Sequence, residues 1–191
     1  MQRKAIIVVP FAVLVIIVTT FTLAYLVTIW LRIPEEFGFP YSVRFIGLLL
    51  LLSGFVLLGW LFRYRRPVDI LTSTYVTFSK AAGRRASLEE RASRTEPLVI
   101  KGPYRYVRHP LYSDVVLLLL GWWLLFDYTF LLISALLLLL WFSCVVTQFE
   151  ERELKALFGN DYEEYARRVP RIIPFTGELG RQLGHLGSRQ K

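Results

Sequence analysis

The sequence predicts an all-α, polytopic membrane protein of about four transmembrane helices. A polar pocket at the cytoplasmic face is built by the connection between the second and third spans and by the C-terminal helices. Three observations predict this. Hydrophobic residues make up 54% of the 191 residues and are gathered in long blocks, whereas a soluble domain intersperses about 45–50%. Basic residues, which set a net charge of +8, flank those blocks as cytoplasmic loop cations do. Their partner is an anionic lipid surface rather than a nucleic acid. Two dense polar clusters abut the last two blocks.

The first block, Ala5–Leu31, follows Arg3 and Lys4 and is apolar or weakly polar throughout. It exceeds the ~20 residues a span needs. It lacks the short core and small-residue cleavage site of a signal peptide, so it reads as a retained first helix. Pro10 lies in its early turns, where a kink is tolerable in a membrane. The second span runs from Ser42 to Phe62 through the leucines at 48–52. The third, Tyr112–Phe126, is short, and the fourth is Thr129–Gln148. Only Asp127-Tyr128 separates these two, so they form a tight helical hairpin.

Charge orients the bundle. The connection between spans two and three holds Arg63, Arg65, Arg66, Lys80, Arg84, Arg85, Arg91, Arg94, Lys101, Arg105 and Arg108, and the turn at Asp127 holds no basic residue. Both termini are then cytoplasmic, as expected of a multi-pass protein of a prokaryotic plasma membrane. Trp30 and Trp60 fall near span ends, as interfacial anchors do. Residues 1–62 form an N-terminal helix pair, 63–174 the core with its hairpin at 112–148, and 175–191 a flexible polar tail. The leucine runs do not distinguish a lipid-facing from a partner-facing surface, so they specify no oligomeric state.

Within the long connection, Asp69–Ser79 mixes apolar and hydroxyl residues as an interfacial helix does. Ser87-Leu88-Glu89-Glu90 has capping-box spacing, and Pro97–Ile100 reads as an extended apolar patch. After span four, Leu154, Leu157, Phe158, Tyr162 and Tyr165 recur at helical spacing. Gly159 interrupts that helix, Asn160 restarts and caps it, and Pro170 ends it. Cys144, the one cysteine, reads as a small buried hydrophobe. With His109 and His185 as the only histidines, neither a disulfide nor a metal site is expected.

The chemistry is concentrated in Gly102–Tyr112 and in Glu150-Glu151. The first cluster packs one imidazole, three tyrosines, two arginines and two prolines into eleven positions. The tight hairpin brings both clusters to the same end. Aromatic faces and backbone amides there suit an adenine ring, and carboxylates suit ribose hydroxyls or an ammonium or sulfonium group. No nucleophile stands beside an oriented base. Two blander readings stand beside this one: Arg108 and His109 as headgroup anchors with Pro110 as a helix starter, and Glu150 and Glu151 as complements to a helix dipole.

Gly102–Tyr112, Glu150-Glu151, Phe158-Gly159, Tyr162, Tyr165 and Arg168-Val169-Pro170-Arg171 together resemble the isoprenylcysteine carboxyl methyltransferase and phospholipid methyltransferase superfamily. The resemblance covers about Glu96 to Pro174. It implies an S-adenosylmethionine pocket on the cytoplasmic side. By that resemblance His109, Pro110, Leu111 and Tyr112 hold the cofactor, joined by Tyr104, Glu150 and the stretch of Glu96, Leu98 and Val99. Arg108 and Glu151 become the candidate catalytic residues: Arg108 braces the pocket or faces the acceptor, and Glu151 or His109 is the available base. The implied reaction moves a methyl group to a lipophilic acceptor that enters from the bilayer. One departure is specific: isoprenylcysteine carboxyl methyltransferases carry an arginine one turn before the glutamate, and here that position is Val146. A carboxylate acceptor is therefore disfavoured, and an amine, thiol, phenol or isoprenoid fits better. An NADPH-dependent membrane sterol or enone reductase and a non-catalytic scaffold are the alternatives.

Overall fold

Long apolar runs become helices because, in hydrocarbon, every backbone N–H and C=O must be satisfied within the segment. The computed structural model describes residues 2–81, 98–174 and 176, and no strand occurs among them. Helix α1 spans Gln2–Trp30, α2 Tyr41–Tyr64 and α3 Pro67–Ala81. A 3₁₀ turn at Gly102–Arg105 precedes α4, Pro110–Phe126. Then α5 (Thr129–Trp141), a π-helical turn (Phe142–Val146) and α6 (Thr147–Phe158) follow without a break, and α7 spans Asn160–Arg168.

Among the described residues, three segments are long and apolar enough to cross a membrane: Ala5–Trp30, Tyr41–Tyr64 and Thr129–Phe158. The expectation of about four spans therefore meets three full-length candidates and one shorter apolar helix. At 17 residues, α4 measures about 26 Å, against a hydrocarbon thickness of about 30 Å. It begins at Pro110 rather than Tyr112, because proline suits the first helical position. The last long helix does not stop at Gln148 but continues through α6. The expected helix at Asp69–Ser79 lies within α3. The Ser87–Glu90 cap, Glu96 and most of the 175–191 tail lie outside the described residues. Cys144, expected to be buried, is exposed, since the π turn directs it away from the core. Gly159, not Asn160, is the cap of α7. Its φ of +53° lies in the region that favours glycine.

In the packing, α2 lies against α4, α4 against α5, and α5 against α1, with α3 beside α1. The α2–α4 contact is backbone-close. A Cβ on Gly47 would stand 2.6 Å from the Leu125 amide nitrogen and 2.9 Å from the Gly121 carbonyl oxygen. Small residues allow such approach where dispersion rather than the hydrophobic effect drives helix association. The core between α4 and the long helix contains Leu119, Leu131, Ala135, Leu138, Phe142 and Val146, and Ile172 joins it from the C-terminal segment.

The turn at Asp127 does more than separate two helices. Asp127 adopts φ +66° and is fully buried. Its carboxylate accepts the amides of Phe37 at 3.0 Å and Phe39 at 2.8 Å. Burial pushes this carboxyl up, but the amides of Phe39, Phe37 and Gly38 and the charge of Arg44 outweigh it and hold the group below the usual carboxylate range. The Thr129 amide donates to the Glu35 carbonyl at 2.9 Å. The α1–α2 connection is thus bound to the hairpin turn, and the polar clusters emerge at the opposite end of α4 and α5.

Candidate functional site

The site begins at a glycine. Gly102 has φ +62°, and a Cβ there would lie 2.5 Å from the Tyr64 ring, so the turn needs glycine for both conformation and space. Beyond the 3₁₀ turn, Tyr106 packs against Trp60 at 6.2 Å between centroids, which ties the segment to the end of α2.

The C-terminal segment then fixes residues 104–113 from the other side. The Arg108 amide donates to the Pro170 carbonyl at 2.8 Å, and the His109 amide to the Arg171 carbonyl at 3.0 Å. The Ser113 hydroxyl donates to the Ile172 carbonyl at 2.5 Å, and the Tyr165 hydroxyl to the Tyr104 carbonyl at 2.7 Å. Val169 is extended, as a residue before proline prefers, and this presents the carbonyls of 170–172 to the start of α4.

His109 sits between two carboxylates. Its Nδ1 lies 3.0 Å from Glu150 Oε2, and its Nε2 lies 3.5 Å from Glu151 Oε1. The Tyr112 hydroxyl donates to the second oxygen of Glu150 at 2.6 Å. Glu151 is held by two guanidinium groups: Arg108 Nη2 at 3.2 Å, and Arg171 through Nε at 3.1 Å and Nη2 at 3.1 Å. Burial pushes the His109 imidazole down, but the hydrogen bonds and charges of Glu150 and Glu151 outweigh burial and raise it above its ordinary value. Charged, it carries a proton on both nitrogens: Nδ1 donates to Glu150, and Nε2 approaches Glu151 without a hydrogen bond. The Tyr162 hydroxyl faces Arg108. Burial, reinforced by the Glu151 charge, pushes it up to about 12, so it remains a neutral hydroxyl.

The rings of His109, Tyr112 and Phe142 form a stack, with centroids 5.7 Å and 4.5 Å apart and 18° between planes at each step. The π turn makes this stack compatible with the carboxylates. Eight α-helical steps of about 100° would put Glu150 roughly 80° around the axis from Phe142. The extra residue taken up by the π turn brings the two within about 20°. Such turns are frequent at functional sites, and Val146 closes this one.

The sequence-predicted residues fall as follows. Arg108, His109, Tyr112, Glu150 and Glu151 meet directly. Tyr104 contributes its carbonyl to Tyr165 and lies within electrostatic range of the Tyr112 hydroxyl. Pro110 is buried at the start of α4, and Leu111 is half-buried there. Leu98 and Val99 are half-buried in the irregular segment leading to Gly102. Two residues that sequence reasoning did not assign also belong to the site. Arg171 clamps Glu151; its only sequence signal is its place in the Arg168–Arg171 block. Arg65, at the end of α2, lies within electrostatic range of Tyr112, and nothing local marked it.

An open cleft of about 640 Å³ adjoins this cluster between α6 and α7, with Arg108, Glu151 and Arg171 on its wall. His109 Nε2 and Arg108 Nε are buried without a hydrogen-bond acceptor. Buried donors of this kind are rarely left unmatched, and they mark where a polar ligand group would complete the site. The residues that the resemblance assigns to S-adenosylmethionine are gathered here, with two buried N–H donors for an anionic group of a ligand, while Glu150 and Glu151 are held by the chain's own donors.

Comparison with known proteins bears on this geometry. A family profile described as phospholipid methyltransferase matches residues 43–161. A methanethiol S-methyltransferase of Crocosphaera subtropica is 33% identical over 168 residues, covering 82% of this chain and 59% of the relative. Methanethiol S-methyltransferase 2 of Bradyrhizobium diazoefficiens is 35% identical over 130 residues, covering 65% of this chain and 46% of the relative. A protein-S-isoprenylcysteine O-methyltransferase of Schizosaccharomyces pombe is 40% identical over 78 residues, covering 40% of this chain and 33% of the relative. The chain therefore spans less than two thirds of the length of each of these relatives. No solved structure matches it significantly.

Proposed function

The chain belongs to the phospholipid methyltransferase family, within the superfamily that includes the isoprenylcysteine carboxyl methyltransferases, and from that footing we propose that it transfers the methyl group of S-adenosylmethionine to a lipophilic acceptor, best a neutral thiol. The observation that carries the reading is His109 set between Glu150 and Glu151, with Tyr112 and Arg108 completing the cluster.

S-adenosylmethionine, when bound, supplies an electrophilic methyl group on a sulfonium sulfur. The chain's own residues hold and align. His109 and Tyr112 fix the Glu150 carboxylate, and Arg108 and Arg171 fix Glu151, so the negative charge at the site is preorganised. The His109–Tyr112–Phe142 stack, with His109 and Phe142 buried, braces these carboxylates against the start of α4 and the π turn. Positioning of this kind accounts for about 7–11 kcal/mol of a barrier.

Three points support a thiol. Val146, buried in the π turn, places no cation at the position where the resemblance expects an arginine for a carboxylate acceptor. The S-methyltransferase relatives match across 82% and 65% of this chain, and the O-methyltransferase relative across 40%. A thiol also needs little base: with an ordinary pKa of about 8.5, it is ionised to a few per cent at pH 7. That suits a site whose histidine is biased toward its protonated form by Glu150 and Glu151 and whose Glu151 is paired with two arginines. The thiol proton leaves to solvent before transfer, and the sulfur lone pair forms the new S–C bond as the sulfonium S–C bond breaks.

The reading includes four spans, with α4 as the short one, and both termini on the cytoplasmic side of a prokaryotic plasma membrane. Charge supports it: Arg63, Arg65, Arg66, Arg105 and Arg108 gather at the site end, and the hairpin turn carries none.

The test is titration of the detergent-purified full chain with S-adenosylmethionine by calorimetry, with NADPH in parallel. Labelled-methyl transfer to thiols and to a prenylcysteine follows. Saturable binding that is lost in folded His109→Ala, with transfer to thiols, is the expected result. Folded protein that binds NADPH or neither ligand overturns the reading.

A further inference from the structure

The cleft between α6 and α7 carries more positive charge than the methyl-transfer cluster uses. Its walls hold five cations, Arg108, Arg152, Lys155, Arg167 and Arg171, against two carboxylates, Glu151 and Glu163. The carboxylates are already engaged: Glu151 by Arg108 and Arg171, and Glu163 by Lys155 at 2.6 Å. Arg167 lies within electrostatic range of Glu163, but among the described residues neither Arg152 nor Arg167 joins an ion pair. Both are exposed, whereas the Arg108 side chain is 10% exposed. The cleft thus has a cationic lip and a buried guanidinium.

Its height is informative. The apolar run of the long helix ends at Val146-Thr147, both buried. Arg152 follows five residues later and Lys155 eight, which is about 8 Å and 12 Å along the axis. The headgroup layer extends about 5–8 Å beyond the hydrocarbon on each side. Arg152 therefore stands at the level of lipid phosphates, where cations attract anionic headgroups at short range.

We infer that this cleft seats the phosphate of an anionic phospholipid, with Arg152 and Arg167 as its selective contacts. The occupant is a lipid rather than a soluble anion, because the placement of the long helix sets Arg152 at the level of lipid phosphates and the excess of cations in the cleft matches a headgroup that carries net negative charge. The inference rests on the membrane placement of the long helix and not on the identity of the methyl acceptor.

The experiment reconstitutes the full chain in nanodiscs of phosphatidylcholine with a minor fraction of phosphatidylglycerol. It then extracts the protein in mild detergent and measures the ratio of the two lipids retained. Wild type is expected to retain phosphatidylglycerol in clear excess over its mole fraction. The Arg152→Gln/Arg167→Gln double variant is expected to lower that enrichment up to roughly twenty-five-fold, from two contributions of about fivefold each, with the Kd for S-adenosylmethionine unchanged within about twofold. Retention in proportion to bulk composition overturns the proposal, as does an enrichment the double variant does not alter. Weakened S-adenosylmethionine binding without a change in lipid retention also overturns it and assigns the cleft to the cofactor. Equal binding of inorganic phosphate to protein in phosphatidylcholine alone removes the lipid as the occupant. Failure to enter nanodiscs at all would instead refute the membrane placement.

Discussion

His109 makes a prediction with a definite sign. The perturbation is pH, read against a variant that cannot titrate there, His109→Gln. In the folded protein the imidazole pKa is raised: burial lowers it, and Glu150 and Glu151 more than compensate. A group with a raised folded-state pKa contributes stability that is fully present below its unfolded value, near 6.5, and is lost as pH rises through the folded value. The main contact is the 3.0 Å pair with Glu150, a charge-assisted hydrogen bond of about 1.5–3 kcal/mol. The 3.5 Å approach to Glu151 is too long for a hydrogen bond and adds less. Wild type should therefore lose stability relative to His109→Gln as pH climbs above about 6.5, by less than that gross contact energy because burial opposes the charged imidazole. The assay is thermal unfolding of both proteins in the same detergent across that range, by intrinsic fluorescence. Curves that stay parallel refute the reasoning, because they show that the imidazole gains nothing from its two carboxylates. A wild type that gains stability with rising pH refutes it more strongly, since it places the folded pKa below 6.5.

Three further outcomes are expected. Gly121→Ala puts a Cβ 2.9 Å from Leu51 Cγ and 3.1 Å from the Gly47 carbonyl oxygen; separating α2 from α4 should cost about 1–3 kcal/mol, measured as a fall in thermal midpoint. Tyr112→Phe removes the 2.6 Å donor to Glu150 and should weaken S-adenosylmethionine binding roughly tenfold to a hundredfold, with calorimetry as the check; an unchanged Kd would take Tyr112 out of the site. Asp114 is buried between α2 and α4, and its Oδ1 has no hydrogen-bond partner. Asp114→Leu should raise stability by about 1–3 kcal/mol, and a clear loss in the same unfolding assay would show that the carboxyl has a partner that matters.

Much of the site was legible before the structure, for a geometric reason. Asp127-Tyr128 is too short a break to do anything but reverse the chain, so residues before Tyr112 and after Gln148 had to meet at one end. The combination of His109, Tyr112, Glu150 and Glu151 follows from that single turn. That a helix forms at α3 was legible for a similar reason: its mixed apolar and hydroxyl pattern is local.

What stayed hidden depends on contacts between distant residues. Asp127 looked like a turn residue, but it accepts amides some ninety positions away. Arg171 looked like the end of a helix block, but it clamps Glu151. The π turn at Phe142–Val146 has no composition of its own, since its residues are as apolar as the α-helix around them. It forms where packing against Tyr112 and the direction required of Glu150 together outweigh the regular hydrogen-bond ladder. Cys144 was misplaced for the same reason, because its exposure depends on the phase that the π turn sets.

The sequence by itself determined a helical membrane architecture, the hairpin and the chemical content of the site, because hydropathy and charge act on each segment where it stands. Only the tertiary structure decided which carboxylate faces which cation, where the long helix changes phase, and how the C-terminal segment closes over the start of α4. Those outcomes are set by distances and directions between segments far apart in the chain, and no local pattern encodes them.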